Sequence, residues 1–324
     1  MAAPITLQDF EALDPVPRRW ALGAMAAVLG AGLNLPGRRV RFEVEGWERV
    51  PAAPVLFVAN HTHWLDWIAL RWVAWRRGRH HTNWVKPRTY GDGFAALLNR
   101  TGNVPLASRG YLLAADAREV HGRPPDEREY RALRDHLDAG TALPDEPFFE
   151  ALRTRPRSLL GLAFDPTRES YRACVERLFH AMMERALAHT ATLCARGLDV
   201  QIMPQGVTAM RLTQGQQGAV QAALALDLTV VPMGINGFPQ AFGKDGMLPA
   251  PPGGTVTVRV GAPFDVEPIA GLRPFWPPDE RAHADELRAR TDDVMARIAP
   301  LLDPAHRPTG GADELDVTGV ARFL

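Results

Sequence analysis

The sequence has few cysteines, no excess of charge of either sign and only one long apolar run, of marginal length for crossing a membrane. Its 324 residues include two cysteines, Cys174 and Cys194, which are too few for a disulfide framework and suit a reducing compartment as small buried residues. The 37 basic and 37 acidic residues balance. A general nucleic-acid-binding protein usually has a basic excess, so no nucleic-acid partner is expected.

The longest apolar stretch lies near the N-terminus, between two pairs of arginines. Residues 20–35 carry no charge, and the pairs occupy positions 18–19 and 38–39. A transmembrane helix needs about 20 apolar residues, so the stretch is marginal for a span. Two predictions stay open for this segment, residues 1–39: an interfacial helix with Trp20 and the arginines at headgroup level, or a helix that packs on the core. No cleavable signal peptide is expected.

A basic cluster without any acidic residue follows further along the chain. Its pattern predicts either a solvated helix face or a contact with a phosphate or an anionic membrane. The cluster consists of Arg71, Arg76, Arg77, Arg79, Lys86 and Arg88.

The apolar patterns predict an α/β fold. "VRFEVEGWE" alternates like a strand, "PVLFVAN" is typical of a strand buried on both faces, and "DWIALRWVAWRRG" has helical spacing. Strand, turn and helix form the unit of an open parallel sheet, in which functional residues collect at the carboxyl ends of strands. "LDVQIMPQG", "LTVVPMGING" and "GTVTVRVGAPF" predict further strands, "GAVQAALALD" a helix, and "PDERAHADELRARTDDVMARIAPLL" a long amphipathic helix. We therefore predict a mostly parallel mixed sheet flanked by helices.

The sequence also predicts the domain limits. Residues 40–303 are expected to form one domain. Within it, residues 111–165 are charged, interrupted by prolines and poor in periodic apolar positions, which indicates an insertion that is only locally helical. Residues 304–324 are polar and contain glycine, so we expect a loosely held tail.

The segment "VLFVANHTHWLD" places His61, His63 and Asp66 directly after a predicted strand. Two histidines and a carboxylate could bind zinc or iron. However, the aspartate comes one place late for the His-x-His-x-Asp-His run of the metallo-β-lactamase fold, and Trp67 stands where that run needs histidine; no metal is predicted. Alternatively, Asp66 could orient His61 as a general base for an alcohol, or His61 could only cap the helix.

The order of several motifs resembles the glycerolipid acyltransferases, the lysophosphatidic acid acyltransferase (PlsC-like) family. "HTHWLD" matches the His-x4-Asp block of that family, and "NRTGNVPLASRG" resembles its second block, from Gly102 to Arg109. "IMPQGVTAM" resembles the third block, usually Phe-Pro-Glu-Gly-Thr, and "VVPMGI" the fourth. The resemblance covers about residues 40 to 265.

This resemblance implies an acyltransferase fold and direct transfer of a fatty acyl group from acyl-CoA or acyl carrier protein to a hydroxyl of an acceptor such as lysophosphatidate. No cofactor is implied. By position, His61 would be the general base and Asp66 its partner, as the catalytic pair. The acceptor side would comprise Gly102, Arg109 (binding a phosphate), Gln205, Gly206, Thr208 and Arg211, and the acyl side Val231 and Pro232. A guanidinium also suits phosphate on chemical grounds.

The third block departs from the family pattern. Gln205 replaces the usual glutamate, Val207 separates Gly206 from Thr208, and Arg211 is the nearest basic residue after the threonine. Glutamine has no charge with which to hold an acceptor or an arginine. Two alternatives therefore remain: an acyltransferase for an acceptor without phosphate, or a protein of the same fold that binds lipid or acyl thioester without catalysis. We expect a cytoplasmic protein at the inner face of the membrane, with a lysolipid as acceptor.

Overall fold

The computed structural model of the protein describes residues 4–14, 16–90, 95–243 and 246–309. The predicted tail beyond residue 309 lies outside these ranges. The side chain of Arg88, a member of the predicted basic cluster, also lies outside the described part of the chain.

A seven-stranded mixed sheet forms the centre of the fold, with strand order β1-β9-β8-β2-β7-β3-β4. Strands β8, β2, β7, β3 and β4 run parallel, whereas β9 is antiparallel to β8 and parallel to β1. A separate antiparallel pair consists of β5 and β6. The strands are β1 Val40–Glu45, β2 Leu56–Ala59, β3 His81–Val85, β4 Val104–Pro105, β5 Arg157–Leu159, β6 Leu162–Phe164, β7 Asp199–Ile202, β8 Val230–Asn236 and β9 Gly254–Val260.

Helices cover both faces of the sheet. They are α1 Leu7–Glu11, α2 Arg19–Leu33, α3 Trp67–Trp75, α4 Pro87–Thr89, α5 Ala95–Arg100, α6 Arg109–His121, α7 Glu127–Ala139, α8 Pro147–Thr154, α9 Tyr171–Ala195, α10 Gly218–Leu226, α11 Phe238–Phe242, α12 Pro277–Ala282 and α13 Ala284–Ile298. Short 3-10 turns occur at Trp47–Arg49, Ala299–Leu301 and Pro304–His306.

Every residue of strand β2 is apolar because both of its faces are covered. Leu56 and Val58 face a core built with α6, α9, α10 and α13, while Phe57 and Ala59 face a second core built with α3 and α11. All four side chains are fully buried. A strand in the middle of a sheet that is covered on both faces needs apolar residues on both sides of the pleat.

The predicted fold class is confirmed. Each strand predicted from the sequence is present, and α3 and α10 lie where their helical spacing indicated. The prediction of one long helix near the C-terminus was wrong, because α12 ends at Ala282 and α13 begins at Ala284. The edge strands β3 and β4 were not predicted; β4 is only two residues long and too short to show a periodic pattern.

The segment 111–165 is more ordered than its composition predicted. Helix α7 begins with a capping box formed by Asp126 and Glu129, and its buried residues include Tyr130, Leu133 and Leu137 at helical spacing. Phe149 in α8 is also fully buried in the larger core. The many charges obscured this pattern because they occupy the exposed faces of the same helices. The segment therefore contributes several fully buried side chains to the larger core.

Residues 304–307 are also held more firmly than predicted. His306 is 1% exposed, and its Nδ1 lies 2.8 Å from the carbonyl oxygen of Met210. In return, the backbone N–H of Leu212 donates to the carbonyl of His306. The start of the predicted tail therefore anchors a loop of the main domain.

The basic cluster does not form one surface. Arg71 is buried under α3, and Arg79 donates through Nε to Asp199 at 2.8 Å while its other nitrogens reach carbonyl oxygens of Pro51 and Ala53. Arg76 and Arg77, at the end of α3, are exposed. Arg76 and Arg77 therefore fit the predicted solvated helix face, whereas the packing of α3 and β3 holds Arg71 in the core and Arg79 against Asp199. A contact of the exposed arginines with a phosphate or an anionic membrane stays a prediction.

Candidate active site

The site lies at the carboxyl end of β2, the central strand. Its last residues pair with the ends of both neighbours, Val58 with Ile202 of β7 and Ala59 with Met233 of β8. The loops that follow β7 and β8 therefore emerge beside His61. This is the edge of a parallel sheet at which polar side chains from separate parts of a chain meet.

His61 and Asp66 form a direct contact. Nδ1 of His61 lies 2.8 Å from Oδ1 of Asp66. The other carboxylate oxygen, Oδ2, accepts the backbone N–H groups of Thr62 at 2.7 Å and His63 at 3.1 Å. Because both oxygens of Asp66 act as acceptors, Nδ1 of His61 carries the proton and donates it, which leaves the lone pair on Nε2. Nε2 makes no hydrogen bond within the described residues.

Asp66 stands at the N-cap of α3 but does not cap the helix with its side chain. The carboxylate turns back toward the preceding turn and is fully buried, whereas the side chain of His61 is 20% exposed. The positive end of the helix dipole favours a carboxylate at this position. A buried, fully bonded acceptor thus holds a partly accessible imidazole in one orientation, and the interpretation of His61 as only a helix cap does not describe this geometry.

His63 has a different environment from His61. It is 1% exposed, its Nδ1 accepts the backbone N–H of Leu65, and its ring lies 5.3 Å from Phe238 and 5.9 Å from Phe242. These contacts fix the turn between β2 and α3. Among the described residues, no group of three or more His, Cys, Asp or Glu side chains could hold a metal ion.

The loop after β7 holds the backbone of His61 on both sides. The side-chain oxygen of Gln205 accepts the N–H of His61 at 2.8 Å, and the N–H of Ala209 donates to the carbonyl of His61 at 2.8 Å. The amide nitrogen of Gln205 donates to the carbonyl of Arg211 at 3.2 Å and to Oγ1 of Thr213 at 3.3 Å. Gln205 is 2% exposed and all its observed bonds are internal, so its predicted contact with substrate stays a prediction.

Two residues that fix this geometry were missed from the sequence. Asn60 is 1% exposed and bonds both backbone groups of Ile235 in β8, accepting at 2.7 Å and donating at 2.9 Å. Its place directly before His61, at a strand end, is a signal that could have identified it. His306, which anchors the loop at Met210, lies far along the chain and gives no such signal.

Gly206, Thr208 and Arg211 occupy the outer part of the same loop. Gly206 is exposed and has φ of 70°, the left-handed region that favours glycine. Thr208 is half-buried, while the Arg211 guanidinium is exposed and donates to the carbonyls of Pro304 and Arg307. Together with Gln205, they lie in the loop that contacts His61. Their predicted acceptor contacts stay predictions.

The fold does not place Arg109 next to His61. It is the first residue of α6, after β4, and β4 lies three strand spacings from β2, about 14 Å at about 4.8 Å per spacing. Its guanidinium contacts Glu280 at 3.2 Å and Asp138 at 3.4 Å and lies over the ring of Phe179. An acceptor phosphate would have to compete with two carboxylates for this side chain.

The other predicted substrate residues are packed inside the protein. Gly102 has φ of 71°, and a Cβ at this position would lie 3.2 Å from the side chain of Leu198. Val231 and Pro232 are buried in β8, and Val231 belongs to the core beneath α3. Any contact of Val231 or Pro232 with an acyl chain stays a prediction.

Comparison with known proteins adds independent evidence on the first third of the domain. A family model described as Acyltransferase matches residues 41–121. The matched segment contains His61, Asp66, Gly102 and Arg109, so the resemblance to this family is confirmed over the first two motif blocks. The third and fourth blocks lie outside the match. The class of reaction indicated by this family is acyl transfer.

The comparisons with solved structures and with curated proteins add no further evidence on function. Among solved structures, the 1-acyl-sn-glycerophosphate (LPA) acyltransferase PlsC from Thermotoga maritima is similar to the chain, with 15% sequence identity and a TM-score of 0.41. The match covers 86% of this chain and 85% of that one. A search of curated proteins gives no significant match.

Proposed function

We propose that the protein transfers a fatty acyl group from a thioester, acyl-CoA or acyl carrier protein, to a hydroxyl of a glycerophospholipid-type acceptor such as lysophosphatidate. The observation that carries this proposal is the 2.8 Å contact between His61 and a fully buried Asp66, inside a segment that matches the acyltransferase family. No cofactor is required for this reaction.

In the proposed mechanism, Nε2 of His61 accepts the proton of the acceptor hydroxyl as its oxygen attacks the thioester carbonyl carbon. A carbon–oxygen bond forms, the carbon–sulfur bond breaks, and the proton reaches the leaving thiolate through the same imidazole. Asp66 stabilises the imidazolium formed in between, because its buried carboxylate already accepts from Nδ1. Gln205 and Ala209 keep the His61 backbone in place during this step.

A second candidate acceptor is an alcohol without phosphate. It is favoured by the ion pairs of Arg109 with Asp138 and Glu280, since Glu280 is 7% exposed and would be left as a buried unpaired charge if Arg109 moved to a phosphate. The internal bonds of the uncharged Gln205 point in the same direction.

An acceptor panel tests both candidates. The purified protein is incubated with a long-chain acyl-CoA and, in separate reactions, lysophosphatidate, glycerol phosphate and monoacylglycerol, and free thiol and acylated product are measured together. Product with lysophosphatidate but not monoacylglycerol supports the first candidate; the reverse supports the second. Donor binding with no acceptor-dependent thiol release would contradict acyl transfer and favour a protein that only binds lipid.

We also propose that the outer face of α2 contacts a membrane surface. The exposed residues of this helix share one uncharged face at helical spacing, with Trp20 64% and Val28 71% exposed. That face comprises Trp20, Gly23, Ala24, Ala27, Val28 and Ala31. The opposite face packs on α3. The two predictions for this segment are therefore compatible, and the interfacial role of the outer face is the part proposed. In the described residues, no helix is long and apolar enough to cross a membrane.

Charged residues lie at both ends of the same helix. The Arg100 guanidinium is 5.9 Å from the ring of Trp20, and at the other end Arg38 donates to the carbonyl of Pro249, close in sequence to Met247, which is 74% exposed. Cationic groups flanking an apolar helix face suit anionic headgroups around a shallowly inserted helix.

Two glutamates on this face should weaken binding to vesicles that contain anionic phospholipid. We expect Ala24→Glu with Val28→Glu to lower the partition coefficient about tenfold or more, because burying a valine side chain contributes about 1.5 kcal/mol. Co-sedimentation measures the bound fraction. The matched control is Ala188→Glu with Ala191→Glu, exposed alanines of α9 on the other side of the sheet. Equal loss in both variants would exclude a specific role of α2.

A further inference from the structure

Two exposed apolar side chains lie on the backbone segments that flank His61. Trp64 is 45% exposed and Met210 is 42% exposed. Trp64 belongs to the turn between His61 and Asp66, and Met210 directly follows Ala209, whose N–H donates to the carbonyl of His61 at 2.8 Å. The two side chains therefore stand on either side of the same histidine. We call Trp64 and Met210 the apolar rim.

Both residues of the apolar rim project from backbone that is already fixed. The ring of Trp64 lies 6.1 Å from the ring of His63, which is 1% exposed and accepts the N–H of Leu65. The carbonyl oxygen of Met210 lies 2.8 Å from Nδ1 of the buried His306. Backbone of this kind loses little further freedom when a ligand binds. Exposed apolar groups beside a functional residue therefore suit an apolar ligand.

The accessible surface of these two segments carries little charge. Within residues 61–66 and 203–211, Asp66 is the one acidic residue and Arg211 the one arginine or lysine. Asp66 is fully buried, and Arg211 is exposed at the far end of its segment. An alkyl chain could therefore leave His61 across this surface without removing a charged group from water, which would be costly.

The proposed reaction fixes where an acyl chain begins. The acceptor hydroxyl must lie within hydrogen-bond reach of Nε2 of His61 while its oxygen attacks the thioester carbonyl, which places the carbonyl carbon within roughly 6 Å of Nε2. The first methylenes of the chain are bonded to that carbon, so they must lie over residues that border His61. The flat ring of a tryptophan and the flexible, unbranched side chain of a methionine both adapt to an alkyl chain.

We propose that the apolar rim binds the methylenes of the acyl chain next to the thioester and thereby selects long-chain donors over short-chain donors. This role rests on the proposed function, because the position of the thioester follows from His61 as the general base. It assigns the start of the chain to exposed residues, whereas Val231 and Pro232, to which the order of motifs pointed, are buried in β8.

Equilibrium binding of chains of different length tests the apolar rim without any turnover. The probes are S-butyl-pantetheine and S-dodecyl-pantetheine, thioethers that carry the arm common to CoA and acyl carrier protein but no carbonyl that could react. Each is used below its critical micelle concentration and without vesicles, and isothermal titration calorimetry measures Kd. In the unmodified protein, we expect the Kd to fall by up to about fourfold for each methylene that the rim covers, the value for complete burial. Trp64→Ala and Met210→Ser should each reduce the ratio of dodecyl to butyl affinity about five- to tenfold, since each removes part of the covering apolar surface.

Matched variants separate chain binding from general damage. Met210→Leu keeps an apolar side chain at the same place and should retain the affinity ratio of the unmodified protein. Met247→Ser makes the same change as Met210→Ser at a methionine that is 74% exposed in the segment after α11, and it should also retain the ratio. Because Trp64 and Met210 lie in separate backbone segments, distortion of one turn would not account for the same loss in both variants.

Turnover of butyryl-CoA and dodecanoyl-CoA gives a second readout, in which Trp64→Ala and Met210→Ser should raise KM for the longer donor more than for the shorter one. An unchanged affinity ratio in both variants would overturn the role of the apolar rim, even in a protein that transfers acyl groups. A reduced ratio in a protein without any acyl transfer would support the rim and overturn the proposed function instead. Variants that lower only co-sedimentation with phospholipid vesicles would identify a membrane contact and overturn chain binding.

Discussion

His61→Ala is expected to lower kcat/KM for acyl transfer by about 10²–10⁴, the usual contribution of a general base, in a protein that stays folded and loses at most about 1–3 kcal/mol of unfolding free energy through the lost partner of Oδ1 of Asp66. The imidazole is partly exposed, so its removal leaves no large cavity, and the buried Asp66 keeps the backbone N–H groups of Thr62 and His63 as partners. Thiol release and product formation from a long-chain acyl-CoA, measured beside an equilibrium unfolding curve, test both parts.

Two further variants separate a catalytic role from a structural one. His136→Ala removes a histidine from α7 far from the site and should have no effect on kcat/KM. Asp66→Asn should lower kcat/KM as well, because the amide nitrogen would donate to Nδ1 of His61 and leave the proton on Nε2, where the base is needed; loss of the charged acceptor should also lower the free energy of unfolding by about 1–3 kcal/mol. Turnover retained by a folded His61→Ala protein would defeat the proposed mechanism.

Gln205→Glu, which restores the residue typical of the family, is expected to damage this protein. The Gln205 amide nitrogen donates to the carbonyl of Arg211 and to Thr213, and a carboxylate would place two acceptor oxygens against each other. It would also introduce an unpaired charge at a position that is 2% exposed. We expect the free energy of unfolding to fall by about 3 kcal/mol and kcat to fall with it, since repulsion from the Arg211 carbonyl would displace the side chain that holds the His61 backbone N–H.

The pH dependence of the stability of the Gln205→Glu variant provides a second test of this prediction. Protonation of the introduced carboxylate would restore a donor and remove the buried charge, so the stability difference from the unmodified protein should narrow as the pH falls. Chemical denaturation at several pH values measures it. Gln214→Glu, the same change at an exposed position three residues beyond Arg211, is the control. A Gln205→Glu protein that is equally stable and more active would instead identify position 205 as a site for an acidic acceptor contact.

The motif after β2 illustrates what sequence could predict. Five apolar residues followed by His61 and Asp66 indicated a strand end with a proton-transfer pair, and the local geometry follows because both residues belong to one turn. Asn60 and His306 escaped prediction because their partners, Ile235 and Met210, lie far away in the chain. The position of Asn60 at a strand end indicates a role, but the distant partner of a hydrogen bond has no signature in a single sequence.

Arg109 illustrates the opposite case. Its chemistry and its place in a motif block predicted a phosphate contact, yet its partners Asp138 and Glu280 come from two distant helices. The basic cluster shows the same effect, since arginines that are neighbours in the chain are divided between core and surface by the packing of α3 and β3. Charge patterns predict chemistry, but packing determines which charges remain accessible.

The sequence by itself determined the mostly parallel sheet, the turn that pairs His61 with Asp66 and the resemblance to acyltransferases, because each depends on residues close together in the chain or on the order of motifs. Only the tertiary structure decided that Gln205 supports the His61 backbone, that Arg109 is held by two carboxylates and that Arg71 is a buried cation without a counterion within the described residues. These features depend on which distant side chains the sheet and its helices bring into contact.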